Sequence, residues 1–94
     1  MTRLLQRQRG AILRIAANYG ARNIRIFGSI SRGVETEHSD VDLLVDLEPG
    51  RSLLDQVGLK QELEELLGRS VDVVVEGGIS PYLEERILAE AVPL

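Results

Sequence analysis

Three aspartates are the residues of this sequence whose spacing most clearly suggests chemistry. Asp40 and Asp42 are two apart at the head of an apolar run, so on a strand both side chains point to the same face. Asp72 interrupts a second apolar run, VDVVV, where a strand ordinarily carries valine. Carboxylates without thiolates suit hard cations such as Mg²⁺ or Mn²⁺. If the two strands are neighbours, the sequence predicts a metal site built from all three acids, and this carboxylate count fits a two-metal phosphoryl-transfer centre.

Gly28 and Ser29 precede these acids, with ten residues between Ser29 and Asp40. Glycine lets the backbone turn sharply at a strand end and approach a ligand closely. If a helix begins at Ser29, its free N–H groups and the serine hydroxyl suit a phosphate, and Arg32 adds positive charge one turn later. The sequence therefore predicts a triphosphate held at this corner and bridged by metal ions to Asp40 and Asp42. The ten-residue spacer, which includes His38, would let the Gly28-Ser29 turn fold back over the strand that carries Asp40 and Asp42.

Each of these features also has a structural explanation when it is taken alone. Gly-Ser is a common turn, and paired aspartates at a strand start often form a turn or a cap. Asp72 alone could keep an edge strand soluble. The functional interpretation depends on the features occurring together, in order and on suitable elements.

The elements that must position these residues alternate along the chain. Apolar residues at helical spacing predict helices over residues 3–19, 53–67 and 81–91. Alternating or β-branched segments predict strands over residues 23–27, 41–45 and 70–75. Thr2, Ser52 and Ser80 are suited to cap the helices, and Gly20 and Gly68 to end the first two. This order predicts an α/β or α+β domain with helices packed on a sheet.

The composition is that of one ordinary globular domain. The 94 residues are 44% hydrophobic and 28% charged, and the absence of cysteine excludes a disulfide scaffold and a thiolate metal site. No segment approaches the roughly 20 apolar residues that span a bilayer. Arg14 interrupts the apolar core that a signal peptide needs. We therefore expect a single domain over residues 1–94, located in the cytoplasm and without a membrane partner.

Charge is segregated along the sequence. Residues 1–34 carry seven arginines and no acid, whereas residues 35–94 carry all fifteen acids and four basic residues. This asymmetry indicates a site where anion and cation meet, or a charged partner, although solvated faces would give the same pattern. Direct nucleic-acid binding is not expected, because the isoelectric point is about 4.9 and an aromatic stacking platform is lacking.

The complete pattern resembles the nucleotidyltransferase superfamily of DNA polymerase β. The resemblance rests on Gly28-Ser29, the ten-residue spacer, Asp40-Val41-Asp42 and the later Asp72. Within that superfamily, the chain is similar to the minimal nucleotidyltransferases (MNT) over about residues 20–94. The segments that carry this similarity are Arg32-Gly33, Ser39, LLVDLEPG, ELEELLGRSVDVVV and ERILAEAVPL.

The resemblance implies a nucleotidyltransferase fold with a mixed sheet of three or more strands. It implies that Gly28 and Ser29 bind nucleotide phosphate, and that Asp40, Asp42 and Asp72 hold Mg²⁺. It also implies a HEPN-domain toxin chain as the partner in a hetero-oligomer, with this chain as antitoxin. The expected reaction transfers AMP from ATP to a tyrosine of that partner, with Asp72 as base or metal ligand. The alternative is an antitoxin that masks its partner stoichiometrically, without catalysis.

Two surfaces are candidates for holding such a partner. One is the arginine face of the first helix, formed by Arg3, Arg7 and Arg14. The other is favoured, because buried apolar area holds complexes together whereas rim charges mainly set the association rate. It is the last helix with its apolar tail: Ile87, Leu88, Val92 and Leu94.

Overall fold

A computed structural model describes residues 3–33 and 39–94 of the chain. The predicted cap Thr2 and half of the spacer, residues 34–38 with His38, lie outside the described residues. The described part contains the helices α1 (Arg3–Arg7), α2 (Arg9–Asn18), α3 (Ser29–Arg32), α4 (Leu53–Leu67) and α5 (Pro81–Glu90). Its strands are β1 (Ala21–Phe27), β2 (Val41–Leu47), β3 (Val71–Val75) and β4 (Val92–Pro93). None of the helices in these two ranges combines the length and apolarity that crossing a bilayer requires.

The strands form one mixed sheet in the order β3-β2-β1-β4. β1 is antiparallel to both β2 and β4, whereas β2 and β3 are parallel. A parallel pair needs a long crossover, and α4 supplies it between β2 and β3. This mixed sheet with flanking helices confirms the predicted fold class.

The hydrophobic core covers one face of the sheet. It is formed mainly by alternate residues of β2 and β3 together with buried side chains of α2 and α4: Val41, Leu43, Val45, Val71, Val73, Ile12, Ala16, Leu59, Leu63 and Leu67. Because successive strand residues point to opposite faces, Asp42 and Asp72 point away from this core. We call the face that carries them the acidic face. The apolar alternation therefore determines where the acids lie.

The predicted ends of α4 and the start of α5 are confirmed. The Ser52 hydroxyl accepts a hydrogen bond from the Leu54 N–H at 3.2 Å, and the Asp55 carboxylate accepts one from the Ser52 N–H at 2.9 Å. Gly68 ends α4 in the left-handed conformation, with φ 67°. The Ser80 hydroxyl accepts from the Leu83 N–H at 3.4 Å.

The single first helix predicted over residues 3–19 is instead two helices. The backbone of Gln8, with φ −97° and ψ 6°, leaves the helical region between α1 and α2. Gly10 has a low helix propensity and weakens the continuous helix at this point. The Arg9 Nε–H donates to the Leu94 carbonyl oxygen at 3.0 Å, which ties the start of α2 to the segment beyond β4.

Strand β4 and the burial of Leu94 were not predicted. Leu94 is only 9% exposed, belongs to the core and donates its N–H to the Ile24 carbonyl at 3.0 Å. The expectation that Leu94 forms a partner surface is therefore wrong, because this side chain completes the core. Leu88 and Val92 from the same proposed surface are each 41% exposed.

Candidate active site

The parallel pairing of β2 and β3 brings the predicted acids to one end of the acidic face. Asp42 and Asp72 are direct partners in this pair, and neighbouring strands lie about 4.8 Å apart. Asp40 comes two residues earlier, immediately ahead of β2. Asp42 is half-buried, whereas Asp40 and Asp72 are exposed. The predicted strand neighbours are thus confirmed.

The electrostatics of Asp42 reflect this crowding. Burial, followed by the negative charges of Asp72 and Asp40, raises the pKa of the Asp42 carboxyl, and Arg32 opposes the rise. Among residues 3–33 and 39–94, no three acidic or histidine side chains are grouped as a metal-holding cluster. The exposure of Asp40 and Asp72 leaves room for the side-chain rotation that convergence on a cation requires.

This donor set fits a hard divalent cation. The three side chains offer only carboxylate oxygens, which Mg²⁺ and Mn²⁺ prefer. A cation would also offset the repulsion and desolvation that raise the pKa of Asp42. Asp40, Asp42 and Asp72 are therefore the residues that would hold the metal.

Gly28 lies directly beside the Asp42 carboxylate. Phe27, the last residue of β1, is the antiparallel partner of Asp42, so the chain leaves β1 next to this acid. Gly28 has φ 77° and ψ −151°, a conformation that essentially only glycine adopts. A Cβ atom placed here would collide with the Asp42 Oδ2 atom. The pairing of β1 with β2, and not the spacer, therefore brings Gly28 close to Asp42.

The short helix α3 follows Gly28 and begins at Ser29, as predicted. The buried Ile30 anchors it to the core, and Gly33 ends it with φ 74°. The Arg32 N–H bonds back to the Gly28 carbonyl at 3.2 Å, and the Ser31 hydroxyl donates to the same oxygen at 2.9 Å. Ser29 itself is half-buried. These contacts fix the corner on which Gly28, Ser29 and Arg32 lie.

Glu90, at the end of α5, contacts this corner, a role that the sequence did not predict. Its Oε1 atom accepts from the Gly28 N–H at 2.9 Å, and its Oε2 atom accepts from Arg32 Nη1 at 3.0 Å. Burial alone would raise the pKa of Glu90, but the Gly28 N–H and Arg32 outweigh it and lower the pKa. The available signal was an acid in the last turn of a predicted helix, where negative charge is disfavoured.

A cleft of about 250 Å³ adjoins the corner. It lies between the end of β1, α3 and α5, and its lining combines apolar side chains with two arginines and one acid: Phe27, Leu83, Ile87, Arg32, Arg86 and Glu90. Arg32 and Glu90 belong to both the corner and the cleft. The cleft therefore provides space for a ligand beside the donors of the corner.

The opposite end of the acidic face holds an ion-pair network. Arg25 of β1 reaches Asp46 of β2 at 3.1 Å and Glu76, just after β3, at 2.8 Å. The Arg25 side chain is only 12% exposed. Arg25 and Arg32 belong to the basic half of the sequence and pair with acids of the other half, so the segregated charges do meet on this face.

A family comparison matches most of the chain. Residues 9–94 match the model of the nucleotidyltransferase domain. A candidate protein adenylyltransferase of Methanocaldococcus jannaschii is 49% identical over 81 residues, which are 86% of this chain and 87% of that protein. The protein adenylyltransferase MntA of Thermococcus cleftensis is 43% identical over 74 residues, which are 79% of this chain and 75% of that protein.

Solved structures agree with these matches. A candidate minimal nucleotidyltransferase superposes with a TM-score of 0.85 at 51% identity, covering 96% of this chain and 92% of that one. A mutant of the MntA–HpeT toxin–antitoxin pair superposes with a TM-score of 0.76 at 26% identity. That alignment covers 92% of this chain and 70% of the matched chain.

Proposed function

The chain belongs to the nucleotidyltransferase domain family, and on this premise we propose that it transfers AMP from ATP to a hydroxyl group of a protein partner. Two relatives that bear the name protein adenylyltransferase support this reaction. The proposed partner is a HEPN-domain toxin chain with a tyrosine acceptor, and this chain is its antitoxin. The similarity to a toxin–antitoxin pair supports this assignment.

One contact carries the proposal for the site. The Gly28 corner stands so close to the Asp42 carboxylate that a Cβ atom on Gly28 would strike it. Asp42 in turn pairs with Asp72 across β2 and β3. A triphosphate bound at the corner would therefore lie next to the acids, which is the arrangement that nucleotidyl transfer needs.

Each side chain then has a specific task. The Gly28 N–H, the Ser29 hydroxyl and Arg32 hold the phosphate oxygens, because all three present hydrogen-bond donors at the corner. Asp40, Asp42 and Asp72 hold Mg²⁺, for which Mn²⁺ could substitute. Bound Mg²⁺ would neutralise charge on the phosphate oxygens during the displacement.

The transfer itself is an in-line displacement at phosphorus. The acceptor hydroxyl oxygen forms a bond to the α-phosphorus of ATP, and the bond from that phosphorus to the pyrophosphate oxygen breaks. Asp72 is exposed at the edge strand of the sheet and either takes the proton of the acceptor hydroxyl as base or assists its removal as metal ligand. Pyrophosphate leaves and AMP remains on the acceptor.

Incubation with labelled ATP, Mg²⁺ and a candidate HEPN partner tests this proposal. We expect the intact chain to label the partner, and we expect a chain with Asp40→Asn and Asp42→Asn to bind the partner without labelling it. Intact-mass measurement of the partner detects the transfer. Equal labelling by the parent and the double variant would refute the assignment of the acids.

Stoichiometric masking is a second candidate function, and exposed apolar side chains favour it. Tyr82 is 71% exposed and Leu83 is 50% exposed, and both lie on α5. Such a surface can cover a partner whether or not chemistry occurs. If the Asp40→Asn and Asp42→Asn variant neutralises its partner as fully as the parent does, masking is sufficient.

A further inference from the structure

We propose that Glu90 competes with nucleotide phosphate for the Gly28 N–H and Arg32, and that it thereby sets the nucleotide affinity of the site. This inference rests on the proposed function, since it concerns the same phosphate-binding corner. Its source is the pair of contacts that one carboxylate makes with two of the proposed phosphate donors, at 2.9 Å and 3.0 Å.

The competition follows from the number of donors. A backbone amide has a single N–H, so the Gly28 N–H cannot bond fully to Glu90 and to a phosphate oxygen together. Arg32 has further N–H groups that can bond to a phosphate, but the Glu90 carboxylate already neutralises part of its positive charge. A phosphate must therefore replace Glu90 at Gly28, or bind with one donor fewer.

The position of Glu90 on its helix is independent support. Glu90 is the last residue of α5, where the carbonyl ends of the helix disfavour negative charge. The contacts with Gly28 and Arg32 offset this cost and hold the carboxylate in place. The Glu90 carboxylate and the Asp42 carboxylate both lie beside Gly28, since one accepts from its N–H and the other would collide with a Cβ atom placed there.

The surroundings allow the exchange to occur. The Glu90 side chain is 31% exposed and lines the cleft of about 250 Å³, so it has space to turn away from the corner. Arg86 also lines this cleft and can receive the displaced carboxylate. The exchange needs only a change in side-chain rotamer.

Isothermal titration of the full chain with Mg²⁺–ATP, and separately with inorganic tripolyphosphate, tests the inference. Glu90→Ala removes the competing carboxylate, and Glu90→Gln removes its charge at nearly constant size. We expect Glu90→Ala to bind both ligands about three- to tenfold more tightly than the parent, and Glu90→Gln to change in the same direction. Because both substitutions also reduce the overall negative charge, Glu85→Gln, on an exposed carboxylate of the same helix, is the matched control and should leave affinity unchanged.

The outcomes distinguish this inference from the proposed function. If the parent binds Mg²⁺–ATP and neither Glu90 variant binds more tightly, Glu90 positions the corner instead and the inference is overturned, while the proposed function stands. If neither the parent nor the variants bind either ligand, the proposed function fails and the inference fails with it. In an Arg32→Ala background the gain from Glu90→Ala should shrink, because the two side chains are coupled. Thermal melting confirms that each variant is folded.

Discussion

Gly28 combines a glycine-only backbone conformation with close contact to the Asp42 carboxylate. Replacing it with alanine should therefore destabilise the fold in two ways, by backbone strain and by collision. We expect Gly28→Ala to lower the free energy of unfolding by about 1–3 kcal/mol from strain alone, and to abolish Mg²⁺–ATP binding. Gly50→Ala is the matched control, because Gly50 has φ 90° but a Cβ atom there meets nothing within 4 Å. Urea unfolding and calorimetric titration measure both effects, and equal losses in the two variants would show that the contact with Asp42 is unimportant.

Asp42 and Asp46 lie on the same strand and the same face, but the charged groups nearest to them differ in sign. Asp42 faces other acids, so Asp42→Asn should stabilise the fold by up to about 1 kcal/mol and remove any stabilisation by Mn²⁺. Asp46 pairs with Arg25, and because 36% of its side chain is exposed, Asp46→Asn should cost only about 0.5–1 kcal/mol. Urea unfolding with and without Mn²⁺ distinguishes the two variants. A loss of stability in Asp42→Asn would contradict the repulsion argument.

The Asp46 contribution should also depend on pH. Burial tends to raise the pKa of Asp46, but the hydrogen bond that the Asn23 amide donates and the positive charges of Arg25 and Arg22 lower it overall. A carboxyl whose pKa is depressed by folding stabilises the protein above its unfolded pKa, and this stability is lost as pH falls through the folded value. The cost of Asp46→Asn should therefore be fully present at pH 7 and smaller at about pH 3, which lies below the ordinary aspartate pKa. An equal cost at both pH values would contradict this assignment.

At the scale of single residues, the sequence predicts that the strands of Asp42 and Asp72 are neighbours, and their parallel pairing confirms this. It does not predict Glu90 at Gly28, since 62 residues separate the two and no local pattern encodes the contact.

Among the described elements, β4 is the shortest, and the residue that follows it, Leu94, has a buried side chain. Leu94 lies in the core beside the Ile24 carbonyl that its N–H binds. We expect Leu94→Ala to lower the free energy of unfolding by about 2 kcal/mol, at the lower end for a buried leucine. Leu88→Ala is the control, because Leu88 is 41% exposed and should change stability by less than about 0.5 kcal/mol. Equal effects in urea unfolding would indicate that Leu94 does not support the core.

Strands β1, β2 and β3 and helices α4 and α5 could be predicted because each carries a periodic apolar pattern or a capping sequence. Strand β4 could not, since two residues contain no period and Pro93 argues against a strand. Pro93 is tolerated because β4 lies at the edge of the sheet, beside β1. The break at Gln8 escaped prediction because the apolar stripe continues through it.

For the whole molecule, the segregated charges leave exposed arginines near the start of an otherwise acidic chain. Arg25 pairs with Asp46 on the acidic face, and Arg32 pairs with Glu90 at the end of α5. Arg3, Arg7 and Arg14 are exposed on α1 and α2. Exposed charges steer association over a distance, whereas buried apolar contacts mainly determine dissociation.

Reversal of these three arginines to glutamate should therefore slow association with an acidic partner surface. We expect the association rate to fall by about tenfold at low ionic strength, with little change in the dissociation rate. The difference should shrink at about 0.5 M salt, because screening then acts within a few ångströms. Stopped-flow mixing with the HEPN partner at both salt concentrations measures this. An unchanged association rate at low salt would place the arginines away from the approach path of the partner, whereas faster dissociation would place them inside the interface.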